Sequence, residues 1–280
     1  MSSAVKMRRE NLVLYAVFAL IVLGSGTGMW AYVERSSAQE PMQPLDLSGY
    51  RMTFDEEFHN LDVSAWGPGT RWIAHTPWNG DFGDARFADP VPGFPFVIDE
   101  GRLRIEARRG DDGKWSAGLL ASTDPSGAGF SQQYGYFEMR AKFPPGPGIW
   151  AGFWLIGNKA EGGSAEVDVI EYYGHVNDSY EATVHVWPKA GLGTTYEAKS
   201  RVMAAPDSLV SQSHDYGVLV EPDWITFYLD KLARFKTRTP PEHKQKLFML
   251  LNLALGAGWP IDKTPNPSFM YVDHVRAYSK

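Results

Sequence analysis

The chain has 280 residues, with 27 Lys and Arg against 33 Asp and Glu, for a formal net charge of −6. That balance excludes a nucleic-acid binder held by bulk charge, because neutralising phosphates needs a basic surplus or a basic stripe. With 44% hydrophobic and 21% charged residues it is a globular core-former, and the absence of cysteine removes disulfides, thiolate metal sites and thiol catalysis together.

The chain opens on a basic flank, Lys6, Arg8 and Arg9, followed by an apolar run from Leu12 to Leu23. Small residues and a second apolar patch ending at Val33 come next. This is the pattern of an export signal, and residues 1–35 are read as one. At about 1.5 Å per residue, Leu12 to Val33 is also long enough to cross a hydrocarbon layer roughly 30 Å thick. A cleaved signal peptide and a retained membrane anchor both fit, and both place the rest of the chain outside the cytoplasmic membrane: secreted, periplasmic or anchored. Residues 36–44 read as a linker, so a single domain is expected over 45–280.

Within that domain, alternation with period two dominates. Gly101 to Arg108 sets Leu103, Ile105 and Ala107 against Arg102, Arg104 and Glu106, as in a half-buried strand. Tyr136 to Phe143 repeats the pattern, with Tyr136, Glu138, Arg140 and Lys142 forming the polar side. The spacing predicts further strands over Trp224 to Leu229, Lys246 to Leu255 and Met270 to Tyr278. The run from Lys246 to Leu255 is nearly all apolar, as expected for a strand buried on both faces. Aromatic residues at 14%, with 28 Gly and 19 Pro, fit many short strands joined by tight turns. The expected fold is all-β, a two-sheet antiparallel sandwich.

The segment Ser164 to Tyr173 reads SAEVDVIEYY and carries three acids within six residues. Glu166 and Asp168 are two apart and share a strand face, whereas Glu171 should point the other way. A β-bulge at Val169 or Ile170 adds one residue, reverses that parity and aligns all three carboxylates. The Cα atoms of Glu166 and Glu171 would then lie roughly 13 Å apart. Their side chains could lean to the carboxyl separation of about 5 to 5.5 Å that a retaining glycosidase needs. Like charges in one row repel, so an ordinary solvated strand edge is the weaker reading. A flat row also makes a poor cage for calcium or magnesium, which favours proton chemistry.

Glu166, Asp168 and Glu171, as Glu-x-Asp-x-x-Glu, resemble the active-site signature of glycoside hydrolase family 16 in the bulged form of laminarinases, agarases and carrageenases. YGYFEMRAKFPPGPGIWAGFWLIG precedes the motif, and ATVHVW, DYGVLVEPDWITFYLD, KLFMLLNLALGAGWP and MYVDHVRAY follow it in family order. The likeness covers nearly everything from Arg51 onward. It implies a jelly roll with a concave substrate cleft, a retaining double displacement and no required cofactor. Glu166 would be the nucleophile, Glu171 the acid and then the base, and Asp168 the residue between that tunes both. The charges of Glu166 and Asp168 should raise the pKa of Glu171 and keep it protonated. Many relatives hold a structural calcium where this chain has Glu57 and Asp273.

A glycan cleft also needs flat apolar platforms for pyranose faces. Trp72, Trp78, Trp150, Trp154, Trp187 and Trp259 are the candidates, with core packing as the alternative for each. His185 is placed to meet Asp168 or substrate. The loop Pro77 to Phe87, with Asn79, Asp81 and Asp84, resembles a cleft edge that binds sugar hydroxyls. The expectation is a monomeric, endo-acting glycan hydrolase of β-1,3 or mixed-linkage β-glucan or a related bacterial exopolysaccharide. A transglycosylase using the same triad and a non-catalytic carbohydrate-binding protein are the alternatives.

Overall fold

The computed structural model describes residues 43–160, 163–188 and 195–280. The segment read as an export signal, and all of the expected linker but Gln43 and Pro44, lie outside the described residues. Among those described, the chain forms eighteen strands. The first nine are β1 (Arg51–Glu56), β2 (Val63–Ser64), β3 (Trp72–Ile73), β4 (Arg86–Phe87), β5 (Phe96–Asp99), β6 (Arg102–Arg109), β7 (Trp115–Ala117), β8 (Leu119–Ala121) and β9 (Gly135–Lys142). There follow β10 (Ile149–Ala160), β11 (Gly163–Tyr173), β12 (Ser179–Pro188), β13 (Tyr196–Met203), β14 (His214–Val220), β15 (Trp224–Leu229), β16 (Leu232–Arg238), β17 (Phe248–Leu255) and β18 (Ser268–Ser279). The five strands predicted from periodicity are present, their ends shifted by at most two residues.

Two sheets face each other. One runs β16-β15-β14-β9-β18-β6-β7-β4, with β1 on β18 and β5 on β6; the other runs β13-β12-β11-β10-β17-β8-β3-β2. The sandwich departs from a purely antiparallel one at two short edge pairs, β2 with β3 and β4 with β7, which are parallel. Each sheet turns its apolar side inward, so Phe137, Met139 and Ala141 of β9 and Val167, Ile170 and Tyr172 of β11 are all buried. Stacking of Phe143 on Tyr172, centroids 4.9 Å apart, joins the sheets beneath the acid-bearing strand.

On the other side of β9 the structure differs from the alternation. Tyr136 and Glu138, expected among exposed polar residues, are fully covered. Leu45, Leu47 and Tyr50 pack over Tyr136, Leu219 and Tyr228 as a second, smaller core. The segment is fastened by main chain: Leu45 N–H donates to the Lys231 carbonyl at 2.8 Å, and Ala233 N–H to that of Gln43 at 3.3 Å. A strand's parity shows which side a residue faces, not whether another segment lies on that side.

Candidate active site

The site starts with a mismatch in strand pairing. Along β10, Phe153 pairs with Ile170 and the next residue, Trp154, pairs with Asp168, so Val169 is the extra residue. Against β12 the register also slips between Asp168 and Glu171. This bulge turns Glu166, Asp168 and Glu171 onto one face, where all three line a cleft of about 320 Å³. Behind it, buried His243 fixes the strand by donating from Nε2 to the Glu166 carbonyl at 3.0 Å.

Around the carboxylates stand donors that are mostly uncharged. Trp187 donates its indole N–H to Glu166 at 2.9 Å. Glu171 accepts from the Trp150 indole at 3.3 Å and from the Tyr173 hydroxyl at 3.2 Å. His185 Nε2 lies 3.3 Å from Asp168, and its other nitrogen lies 3.6 Å from Glu197. Its ring stacks on Trp187 at 4.9 Å.

Burial is the main reason these acids hold their protons. It raises the pKa of Glu166 to about 8, helped by the Asp168 charge and opposed by the Trp187 N–H and His185. Asp168 is pushed well above the carboxylate range by its own burial and then by the charge of Glu171. Glu171 is raised chiefly by burial, against the pull of Tyr173 and Trp150. The cause expected from sequence, repulsion by Glu166 and Asp168, is therefore secondary for Glu171. The row titrates as one unit in which not every member is ionised at neutral pH.

The cleft walls are aromatic. Trp78, Phe82, Trp150 and Trp154 all line it, and Phe82 packs edge-on against Trp150 at 5.2 Å and Trp154 at 5.9 Å. Trp78 meets Trp154 at 6.1 Å. Trp187 and Trp259 are half-exposed, the first on Glu166 and the second against His175 at 4.2 Å. From the loop, Asp81 lines the cleft.

One assignment from the sequence needs correction, and two residues of the cleft-edge loop take defined places. Trp72 is a core residue, 1% exposed, packed edge-on against Phe54 at 5.5 Å and donating its N–H to Glu56 at 3.1 Å. Its adjoining Gly and Arg made it resemble a loop platform, but its place on β3 turns it inward. Asn79 is exposed in a left-handed turn, φ 55°, between Trp78 and Gly80, which line the cleft, and its N–H donates to the Thr76 carbonyl. Asp84 packs against Gly256, and its N–H donates to the Leu255 carbonyl at 2.8 Å, so it anchors the loop.

The expected metal pair divides. The Glu57 carboxylate is held by the Arg276 guanidinium, 2.9 Å from Nε, and is committed to that cation. Asp273 is the extra residue at a bulge in β18, and its Oδ2 is buried without a hydrogen-bond partner. An orphaned carboxylate oxygen is what a calcium ion would satisfy, so Asp273 fits the role and Glu57 does not.

Two site residues escaped the sequence reading. Asn252, 2% exposed, accepts the Trp154 indole N–H at 2.9 Å and donates to the Trp150 main-chain carbonyl at 3.3 Å, positioning the Trp154 ring against the Trp150 backbone. A single amide in the apolar run FMLLNLAL was the available signal, because a buried polar group must find partners. Phe82, the other, had no signal beyond the loop it sits in.

A β-sandwich with a carboxylate row at the bottom of an aromatic-walled cleft defines a protein built for chemistry on carbohydrates. Residues 99–271 match the model of Glycosyl hydrolases family 16, and the chain belongs to that family. It is 32% identical over 259 residues to the endo-1,3-1,4-beta-glycanase ExsH of Rhizobium meliloti (strain 1021), covering 84% of this chain and 53% of that one. Similarity to glucan endo-1,3-beta-glucosidase A1 of Niallia circulans is 26% and covers 88% and 40%. The chain thus spans about half the length of these relatives. The fold also superposes on the catalytic domain of an endo-1,3-beta-glucanase (laminarinase) from Thermotoga petrophila RKU-1. There the TM-score is 0.66 with 21% identity, covering 82% of this chain and 98% of that one.

Proposed function

We propose that the protein is an endo-acting, retaining β-glycan hydrolase that cleaves β-1,3 or mixed-linkage β-glucan or a related bacterial exopolysaccharide. The observation that carries this is the Val169 bulge, which sets Glu166 and Glu171 on one cleft floor with Asp168 between them. In the double displacement, the Glu166 carboxylate attacks the anomeric carbon as Glu171 gives its proton to the departing glycosidic oxygen. The bond to the leaving sugar breaks and an ester to Glu166 forms. That ester removes a negative charge from the row, so Glu171, now ionised, can take a proton from water as the water attacks the anomeric carbon, breaking its bond to Glu166 and releasing the carboxylate. Burial favours the protonated form of both glutamates, and Trp187 and His185 pull Glu166 back toward ionisation, so the reactive form of the coupled row is the one in which Glu166 is ionised and Glu171 carries the proton.

The names of the relatives support the glucan bond: one acts as an endo-1,3-1,4-β-glycanase and another on 1,3-β-glucan. The test is to incubate the purified domain with β-glucans, galactans and bacterial exopolysaccharides and to size the fragments. Internal cleavage of a β-1,3 or mixed-linkage glucan with the anomeric configuration retained supports the proposal. Inverted products would refute the mechanism, and cleavage of galactans alone would refute the substrate. Transfer to added oligosaccharide in preference to water would make it a transglycosylase.

Calcium enters the proposal through Asp273 alone, with main-chain oxygens and water needed to complete the six to eight ligands the ion takes. A melting temperature unchanged by chelation would remove it. The protein is further proposed to be exported and monomeric. Sequencing the N-terminus of the exported form decides between a cleaved signal and an anchor, and light scattering tests the oligomeric state.

A further inference from the structure

Beyond the catalytic row, the same sheet carries a second cavity, of about 240 Å³, that the hydrolytic steps do not use. Strand register gives its place. Glu166 pairs with Ile156 on β10, and Ile156 pairs with Phe248 on β17, whose side chain edges the cavity. Two strand spacings, roughly 10 Å, separate Phe248 from the strand bearing Glu166. Pro77, on the rim of this cavity, directly precedes Trp78 of the catalytic cleft, so the two hollows adjoin. A glycan in the cleft reaches the second hollow within one or two sugar units.

The lining has two chemistries. Phe248, Pro77 and Pro125 form an apolar wall. Opposite in character is Lys246, exposed and without an ion-pair or hydrogen-bond partner among the described residues. The one acid in the lining, Asp124, does not neutralise it. Asp124 Oδ1 is folded back on its own loop, accepting the Ser126 hydroxyl at 2.6 Å and the N–H groups of Ser126 and Ala128 at 2.8 and 3.0 Å. Those donors hold Asp124 ionised and turned to its own loop, and Lys246, the one cation of the lining, has no carboxylate paired to it among the described residues.

We infer that this cavity is a substituent pocket. It takes a carboxylate-bearing group carried by the glycan one or two sugars from the scissile bond, with Lys246 pairing the carboxylate and the Phe248 wall packing its carbons. A neutral sugar would use the wall and leave the ammonium without a partner. The inference rests on the proposed glycanase function and narrows its substrate to an acidic β-glucan.

The test compares one mixed-linkage β-glucan in three forms: unmodified, carboxymethylated and succinylated. Lys246→Ala should lower kcat/KM on both charged forms by roughly five- to tenfold and leave the unmodified form unchanged. Lys246→Arg should retain the preference and Lys246→Glu should reverse it. A loss confined to the succinylated form would support the pocket and assign it to ester-linked acids. Equal loss on all three forms, or no loss on any, overturns the inference. Calorimetric titration of Glu166→Gln with carboxymethylated oligosaccharide, with and without Lys246→Ala, reads the pocket without cleavage. If the wild type cleaves none of the glucans, the glycanase reading fails; if Lys246→Ala leaves that affinity unchanged, the pocket fails.

Discussion

Two groups of carboxylates in the molecule, on opposite sheets, are treated in opposite ways. On the sheet away from the cleft, Glu138 is 1% exposed and surrounded by compensation: the Lys231 ammonium, His274 Nε2 at 3.3 Å and the Tyr136 hydroxyl at 2.7 Å. In the cleft, Glu166, Asp168 and Glu171 face one another, with indoles, a phenol and one imidazole for company. No lysine or arginine makes an ion pair with any of the three among the described residues. A buried acid beside a cation is fixed in its charge state and holds structure. Acids buried beside each other keep exchangeable protons, which is what acid and base catalysis requires.

The contrast breaks most visibly in activity. Glu166→Gln should lower kcat by more than about 10⁴-fold, and Glu171→Gln by about 10² to 10⁴-fold, because each removes a group that makes or breaks a bond in the reaction. Steady-state rates on a mixed-linkage glucan check this, and Glu138→Gln should leave kcat within a factor of two or so. An equal loss in all three variants would erase the distinction.

Stability should respond the other way round. Glu138→Ala is expected to cost about 2 kcal/mol, at the low end for a broken buried pair because Lys231 is 42% exposed and can rehydrate. Urea unfolding measures it. Glu166→Gln, by contrast, relieves repulsion and should hold or raise the midpoint.

The pH profile sharpens the comparison further. Because the Glu166 carboxyl is raised from an ordinary 4.5 to about 8, the folded state keeps a proton that the unfolded chain has lost. Stability therefore falls as pH rises through that window. Urea midpoints from pH 5 to 8 should decline in the wild type and decline less in Glu166→Gln. A flat wild-type profile would contradict the burial of the row.

The two smallest effects concern the positioning residues. Asn252→Leu takes the acceptor from the Trp154 indole and should reduce kcat/KM by about tenfold, mainly through KM. Trp187→Phe removes the N–H that favours ionised Glu166. The acidic limb of the kcat/KM profile should then move to higher pH, by up to about one unit.

The sequence carried the catalytic region further than the compensated one, for a physical reason. A motif whose parity fails by one residue announces its own bulge, so the alignment of Glu166, Asp168 and Glu171 could be read from spacing within a single strand. The Glu138 network joins β9 to Lys231, 93 positions along the chain, beneath a segment near residue 45. Strand alternation has no access to contacts of that range, and so Tyr136 and Glu138 read as solvated. Trp72 and Trp154 show the same limit: both are strand tryptophans, one in the two-residue β3 and one mid-way along β10, and only the sheet order makes one core and the other cleft wall.

Val169 touches no substrate-facing role of its own, yet it is the residue that sends Glu171 to the working side. Loss of its codon, in frame, would set the three acids two apart along a regular strand, all still on the cleft side, so the kink is what lets the strand carry one residue more without turning the proton donor away. Only a residue gained or lost between Asp168 and Glu171 that no such kink takes up would face the donor into the core and leave a shell that grips its polymer without cutting it.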